Sequence, residues 1–259
     1  MRIDGYIVYV KNNATNFGED TRIFDALKVI AERFLENAFS IEKGNVTFVV
    51  SSALMVKFDD EELWVSDGVI NEANVANTDA QRTLKIHSRF SADFKNRTIY
   101  VYRDASGVRC LYHAITANGA LFSSDEALIC FALGSFALDG ESLKQSIALG
   151  YIYDEERTAF ENVKQHLPGM IYKYTYGGTK LKAQMQNKAS KAKARKYKSI
   201  AEATDTFSKI FENTVKYAVS TDTKKAFFLS GGVDSTAIAI AAKKFLPEVN
   251  TIRISSIIT

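Results

Sequence analysis

The first part of the chain alternates short apolar runs with one helical stretch. Residues 3–10, 46–50 and 53–58 are apolar runs of the length expected for strands. Between the first two, apolar residues recur at three- and four-residue steps over residues 21–39. This spacing predicts an amphipathic helix that begins at an N-cap, either Asp20 or Thr21.

The middle of the chain is rich in β-branched and aromatic residues. Residues 97–103 alternate in the manner of a half-buried strand, and a turn signal at 104–107 leads into the run at 108–116. Asn118-Gly119 then forms a strong hairpin signal before the run at 120–123. We therefore predict a three-stranded antiparallel meander over residues 97–123.

Helices are predicted on both sides of a change in composition. Two short ones are expected at 125–133 and 141–149. Residues 186–198 then carry six Lys or Arg and no large aliphatic residue. Such a run is either a solvated linker or a patch for a phosphate-rich partner, and we interpret it as a linker between domains at 1–185 and 199–259. Ser199 and Glu202 have the spacing of a capping box, which predicts that a helix begins there.

The composition limits the classes to consider. The chain has 259 residues, of which 46% are hydrophobic and 24% charged, as in ordinary globular proteins. A net charge of +3 is too small to indicate a nucleic-acid partner. The apolar runs are too short for a membrane span or a secretory signal. Cys110 and Cys130 cannot build a disulfide framework or a metal site by themselves, which favours a cytoplasmic protein with reduced thiols.

The most specific chemistry is predicted near the C-terminus. An apolar run at 226–229 predicts a buried parallel strand, and the alanine-rich residues 236–245 predict a helix. The connecting residues read Ser-Gly-Gly-Val-Asp-Ser over 230–235. Two glycines allow an oxyanion to approach the backbone closely, and the helix N-terminus adds partial positive charge. A carboxylate beside phosphate needs a cation, so Asp234 is a natural Mg²⁺ ligand.

This loop lacks the G-x-x-x-x-G-K-[ST] pattern of a Walker A motif. It resembles instead the pyrophosphate loop of the N-type ATP pyrophosphatases. Upstream, residues 103–112 read R-D-A-S-G-V-R-C-L-Y and resemble the R-D-x-x-G-[IV]-[KR]-P-L-Y segment of asparagine synthetases. Further segments that resemble that family, in the same order, lie at 121–128, 138–139, 150–152, 157–160 and 167–169. The chain is thus similar to asparagine synthetases of the glutamine-hydrolysing type and to their relatives, the lactam synthetases and lasso-peptide cyclases.

This resemblance implies a fold and a site. The fold is an α+β, Ntn-hydrolase-like (αββα) domain over 1–185, followed by the start of an α/β, parallel-sheet ATP-pyrophosphatase domain of the adenine nucleotide alpha hydrolase-like type. The implied cofactors are ATP and Mg²⁺, with Asp234 as the metal ligand. The residues implied to bind them are Leu229, Ser230, Gly231, Gly232, Asp234, Ser235 and Ile254.

The resemblance weakens before residue 97. The family's amidotransferase domain begins Met-Cys-Gly, and that cysteine is the nucleophile. Here Arg2 follows Met1, and the first cysteine is Cys110, so we predict no catalytic residue in the amidotransferase domain and no glutaminase activity. The family's N-G-E glutamine-binding segment matches at best Asp67-Gly68-Val69, and Asp79 is a candidate for its later aspartate.

Several interpretations stay open at this point. The leading one is an ATP-dependent ligase that amidates aspartate or another carboxylate with ammonia or an amine, complemented by a C-terminal synthetase chain. Alternatives are a lactam- or macrolactam-forming relative and a degenerate protein that only binds. A tRNA-modifying pyrophosphatase shares the loop but lacks the upstream segments. We expect no nucleic-acid and no membrane partner, and a homodimer is left open.

Overall fold

The computed structural model describes residues 2–12, 17–69, 86–177, 182–187, 196–220 and 225–253. These residues form two compact units, one up to residue 187 and one from residue 196. The division falls within the predicted linker at 186–198, although the last strand of the first unit continues to Asn187.

The first unit is built mainly from strands. Its strands are β1 (Tyr6–Lys11), β2 (Ala38–Lys43), β3 (Val46–Ser51), β4 (Met55–Phe58), β5 (Glu62–Val69), β6 (Ile86–Asp93), β7 (Thr98–Arg103), β8 (Tyr112–Ile115), β9 (Gly119–Ser123), β10 (Lys164–Gln165), β11 (Met170–Thr175) and β12 (Lys182–Asn187). Its helices are α1 (Phe17–Arg33), α2 (Glu126–Leu133) and α3 (Gly140–Leu149).

The strands form two antiparallel sheets of six strands each. The first has the order β10-β8-β9-β1-β3-β2, and the second has the order β12-β11-β7-β6-β5-β4. Side chains of both sheets meet in one buried core, to which β1 contributes Tyr6 and Val8 and β6 contributes Phe90. A second core lies on the other face of the first sheet, where Ile23 and Leu27 of α1 pack with residues of α2.

The described residues thus show three of the four layers of the αββα fold that the family resemblance implies. Helices α1 and α2 cover the first sheet, and the second sheet packs against its other face. Over the described ranges, neither core includes a helix on the outer face of the second sheet. The sheet pairing shows an α+β arrangement of antiparallel sheets, and the fourth layer remains a prediction.

The predicted meander over residues 97–123 is wrong. The second hairpin is present, since β8 and β9 pair antiparallel. However, β7 pairs with β6 and β11 in the second sheet, whereas β8 and β9 belong to the first. The segment that looked like a hairpin turn therefore carries the chain from one sheet to the other, which periodicity alone cannot distinguish.

The first helix is also displaced from its prediction. It begins at Phe17 and ends at Arg33, so Asp20 lies inside its first turn and is not the N-cap. The side chain of Asp20 instead accepts a hydrogen bond from the Tyr9 hydroxyl at 2.7 Å and pairs with Lys11 at 2.6 Å. Ala38, which seemed to continue the apolar stripe, is the first residue of β2. Tertiary pairing has overridden the helical period here.

The second unit is small and leaves apolar side chains exposed. It comprises α4 (Ile200–Val219), β13 (Phe227–Phe228), α5 (Val233–Lys243) and β14 (Thr251–Ile252). The two strands are parallel, as expected, and α4 packs on α5 around Val215 and Ala242. The expectation that the strand at 226–229 is buried on both faces is wrong in this structure, because the Phe228 side chain is 69% exposed.

Two neighbouring histidines, the buried His166 and the half-buried His113, lie in the first unit. The His166 ring is completely buried, with Nε2 2.9 Å from the Tyr174 hydroxyl, and its ring centroid is 4.4 Å from that of His113. Burial lowers the pKa of His166 well below its ordinary value. Burial, reinforced by the charge of Lys164, lowers the pKa of His113 to about 4. Both rings are therefore neutral in the folded protein near neutral pH.

We expect the protein to lose stability as the pH falls below about 6.5. Below that pH the histidines of the unfolded chain take up protons, whereas the lowered pKa values of both rings, about 4 for His113, keep them neutral in the folded chain, so protonation favours unfolding. The loss should approach about 1.4 kcal/mol per pH unit for each histidine. Urea unfolding at pH 7.5, 6.0 and 5.0 measures it, and His113→Phe should remove about half of the slope. A free energy of unfolding that is flat over this range would contradict the assignment.

Candidate functional site

The sequence-predicted loop connects β13 to α5. Parallel pairing of β13 with β14 places the loop at the carboxyl end of β13, and the Leu229 N–H extends the pairing by donating to Ile252 O at 2.9 Å. Gly231 has φ of +86°, a backbone conformation that other residues rarely adopt. Gly232 is the N-cap of α5, with φ −77° and ψ 161° and no side-chain cap. The turn therefore needs glycine at position 231, whereas the backbone conformation of Gly232 is open to other residues.

The loop presents backbone N–H groups to solvent. The first N–H groups of a helix have no acceptor within the helix. At the start of α5, the four residues Gly231, Gly232, Val233 and Asp234 are all exposed. Because the helix dipole places partial positive charge at the same end, the loop can accept an oxyanion.

Two hydroxyl groups lie beside these donors. The hydroxyl oxygens of Ser230 and Ser235 are 3.1 Å apart, although the residues are five positions apart. Ser230 Oγ accepts the Gly232 N–H at 3.3 Å, and Ser235 Oγ donates to Gly232 O at 3.2 Å. The loop thus gathers backbone and hydroxyl donors at one place, as phosphate recognition requires.

A metal at this loop would depend on a second source of ligands. Asp234 lies in the first turn of α5 and is exposed. Among the residues that the structure describes, no three or more His, Cys, Asp or Glu side chains are arranged to hold a metal ion. One carboxylate suits Mg²⁺ rather than an all-protein metal cage, since Mg²⁺ usually takes one or two carboxylates with waters and phosphate oxygens. The donor set therefore fits a cation brought in with a phosphate.

The structure brings most of the predicted loop residues together, with two exceptions. Ile254 lies outside the described residues. Leu229 is adjacent to the loop, but its N–H is occupied by β14. Sequence reasoning overlooked Thr236, whose hydroxyl donates to Gly232 O at 2.8 Å. The position of this threonine, four residues after a glycine at a predicted helix start, is the signal that could have identified it.

The residues matched to the amidotransferase site have other partners. Arg2 donates from Nη2 to Glu32 O at 2.7 Å. Asp67 lies near the end of β5, where Arg109 Nη1 is 3.5 Å from its carboxylate. Burial raises the pKa of Asp67, the charge of Arg109 lowers it, and that of Asp4 raises it further. Asp79 lies outside the described residues.

The R-D-x-x-G-V-R segment forms a buried network at the crossing between the sheets. Arg103 is 5% exposed and donates to three carbonyl oxygens, those of Arg109 at 3.0 Å, His166 at 2.7 Å and Gly107 at 2.9 Å. Asp104 is 1% exposed and accepts backbone N–H groups of Ser106 at 3.1 Å and Arg109 at 3.1 Å. These hydrogen bonds lower the pKa of Asp104, although burial opposes them. The motif is therefore structural, because both charges bind backbone groups, those of the segment itself and, for Arg103, that of His166.

The segment at 157–160, which reads R-T-A-F, has a similar structural role. Arg157 Nη1 lies 2.8 Å and 3.0 Å from the two carboxylate oxygens of Asp139, and Asp139 caps the N-terminus of α3. The Thr158 hydroxyl donates to Val163 O at 3.1 Å. Within the first unit, the Arg157–Asp139 contacts join the segment that follows α3 to the N-terminus of that helix.

None of the helices in the described part of the chain is long and apolar enough to span a membrane.

Two sequence comparisons relate the chain to asparagine synthetases. Residues 206–257 match the asparagine synthase family model. A relative, asparagine synthetase [glutamine-hydrolyzing] 1 of Bacillus subtilis (strain 168), is 25% identical over 157 residues, which are 60% of this chain and 24% of that protein. The chain thus spans about a quarter of the length of this relative.

Two solved structures are similar in part. One is the glutamine phosphoribosylpyrophosphate amidotransferase from B. subtilis complexed with ADP and GMP, 9% identical, with a TM-score of 0.32 over 97% of this chain and 60% of that one. The other, described as the allosteric regulatory enzyme of purine biosynthesis, is 8% identical, with a TM-score of 0.31 over 100% and 61%. TM-scores of this size do not establish a shared fold. The two sequence matches, by contrast, show that the chain is similar to asparagine synthetases over part of its length.

Proposed function

We propose that the chain supplies the pyrophosphate loop of an ATP-dependent amide ligase of the asparagine synthetase type. The observation that carries this proposal is the loop at 230–235, which gathers anion-binding groups and lies inside the segment that matches the family. In the proposed reaction a carboxylate oxygen attacks the α-phosphorus of ATP and pyrophosphate leaves. Ammonia or an amine then attacks the acyl carbon and releases AMP.

The loop contributes by binding and charge neutralisation. The N–H groups at the start of α5 and the hydroxyls of Ser230 and Ser235 hold the pyrophosphate portion, whose charge grows as it leaves. Gly231 and Gly232 allow the phosphates to approach the backbone. Asp234 holds the Mg²⁺ that balances the phosphate charge. With its N–H already bonded to β14, Leu229 would contact adenine through its carbonyl, and Ile254 is proposed to line the same site.

The carboxylate substrate is proposed to be aspartate or another small acid, and the nitrogen donor to be ammonia or an amine rather than glutamine. The reason is that Asp67, a described residue matched to the family's glutamine-binding segment, pairs with Arg109 at 3.5 Å. A substrate that carries its own amine, as in lactam formation, fits the same proposal. We propose a cytoplasmic site of action.

Features of the second unit favour the proposal that a complementing synthetase segment completes it. Several large apolar side chains of this unit are exposed, among them Ile200, Phe207, Phe228 and Ile240. Its parallel sheet has two described strands, whereas nucleotide sites of doubly wound proteins lie in a crevice between neighbouring strands of a larger sheet. Further parallel strands, supplied by another chain segment, would cover these side chains and complete the crevice.

ATP–pyrophosphate exchange tests the ligase proposal. Full-length chain, combined with a C-terminal synthetase segment of the family, should exchange labelled pyrophosphate into ATP when aspartate or the correct acid is present. Asp234→Ala should abolish exchange. Exchange that stays at background with every acid, in a complex that demonstrably assembles, would contradict the proposal.

A second candidate function is a non-catalytic binding protein, and the specific observation behind it is that Asp67, matched to the family's glutamine-binding segment, pairs with Arg109. In that case the loop would bind no nucleotide. Calorimetric titration of the chain together with the complementing segment, with ATP and Mg²⁺, separates the two functions. Measurable binding favours the ligase, and absence of binding favours the non-catalytic protein.

A further inference from the structure

The carbonyl oxygen of Gly232 is an acceptor that several donors of the loop share. It accepts three donors: the Thr236 hydroxyl at 2.8 Å, the Thr236 N–H at 3.2 Å and the Ser235 hydroxyl at 3.2 Å. A carbonyl oxygen has two lone pairs, so three donors compete for it. The Thr236 hydroxyl makes the shortest of the three contacts.

The direction of this carbonyl decides where the anion-binding groups point. The peptide between Gly232 and Val233 is planar and trans, so its C=O and N–H point in opposite directions. When the carbonyl is held along α5, the Val233 N–H faces out of the N-terminus, toward the position of an anion. A side chain at the N-cap often stabilises this geometry, but Gly232 has none, and no side-chain cap is present.

Thr236 also determines what Ser235 can do. Ser235 Oγ now bonds to Gly232 O and lies 3.1 Å from Ser230 Oγ. The Ser235 hydroxyl must give up its hydrogen bond to the Gly232 carbonyl before it can donate to a phosphate oxygen. Because the Thr236 hydroxyl and N–H both donate to that carbonyl, Ser235 can turn to a ligand without leaving an unsatisfied acceptor.

We propose that Thr236 is a positioning residue of the loop: its hydroxyl orients the Gly232–Val233 peptide and releases Ser235 for phosphate. This rests on the proposed function for the identity of the ligand, but not for the orientation of the peptide. Threonine at this position acts through Gly232 and need not touch the anion.

Two substitutions separate the hydroxyl from the shape of the side chain. Thr236→Val removes the hydroxyl and keeps the branched shape, whereas Thr236→Ser keeps the hydroxyl. The matched control is Thr204→Val, at an exposed position in α4. Each variant of the full chain is studied without ligand by NMR, through the Gly232 carbonyl and Val233 amide signals, and then by calorimetric titration with inorganic pyrophosphate and Mg²⁺.

In Thr236→Val we expect both NMR signals to move and pyrophosphate affinity to fall by about tenfold, the effect of one hydrogen bond. Thr236→Ser and Thr204→Val should keep affinity within about twofold of the original chain. Signals or affinity unchanged in Thr236→Val would overturn the proposal, as would an equal loss in Thr236→Ser, which would indicate packing instead. If the original chain binds no pyrophosphate, the proposed function fails, and the NMR signals of the free protein still decide the role of Thr236.

Discussion

Replacement of Arg103 by leucine is expected to lower the free energy of unfolding by about 3–5 kcal/mol. The guanidinium is 5% exposed and donates to the carbonyl oxygens of Gly107, Arg109 and His166. Leucine would leave all three acceptors without this donor, at a point where the chain crosses from the second sheet to the first. Urea unfolding followed by circular dichroism measures the loss.

Arg109 provides the matched control within the same segment. Its side chain is 45% exposed and makes one ion pair, with Asp67 at 3.5 Å. A pair of this kind contributes little, so Arg109→Leu should cost less than about 1 kcal/mol. Equal losses of unfolding free energy in the two variants would contradict the view that the hydrogen bonds of Arg103 stabilise the connection between the two sheets.

The second large effect is expected at Asp234. In the full chain, Asp234→Ala should weaken binding of ATP in the presence of Mg²⁺ by about 100-fold, which corresponds to about 2.7 kcal/mol. The carboxylate is the metal ligand that we propose the loop supplies, and without it the phosphate charge is balanced only by backbone dipoles and hydroxyls. Calorimetric titration with and without Mg²⁺ measures the change.

Asp205 serves as the control for Asp234. It is an exposed aspartate of α4 that pairs with Lys209 at 2.7 Å. Asp205→Ala removes the same charge from the second unit and should leave ATP affinity within about twofold, since screened surface charges contribute little. If Asp234→Ala also kept its affinity, or if Mg²⁺ made no difference to the original chain, Asp234 would not be the metal ligand.

The loop was predictable because its chemistry is local. The conformation of Gly231 and the cap at Gly232 follow from the residues themselves, and the contact of Ser230 with Ser235 follows from their positions on either side of the turn. The helices α2 and α3 were predictable for the same reason, since Asp125 and Asp139 cap them as the residue types suggest.

Features that depend on distant parts of the chain were not predictable in this way. Strand β7 has the pattern of a hairpin partner for β8, yet it pairs with β6 and β11, and nothing near Arg103 indicates which sheet receives it. Strand β2 continues an apolar spacing that suited a helix, and its pairing with β3 decided otherwise. Likewise the roles of Arg103 and His166 depend on contacts with segments far along the chain.

The central claim is that residues 230–235 bind the phosphate groups of a nucleotide. The most direct measurement is a titration of the isotope-labelled full chain with inorganic pyrophosphate and Mg²⁺, observed through backbone amide signals. The account predicts saturable shifts in the signals of Gly231 to Ser235, and unchanged signals in the middle of α4. Loop signals that do not move at millimolar pyrophosphate, or that move only together with the rest of the second unit, would contradict it.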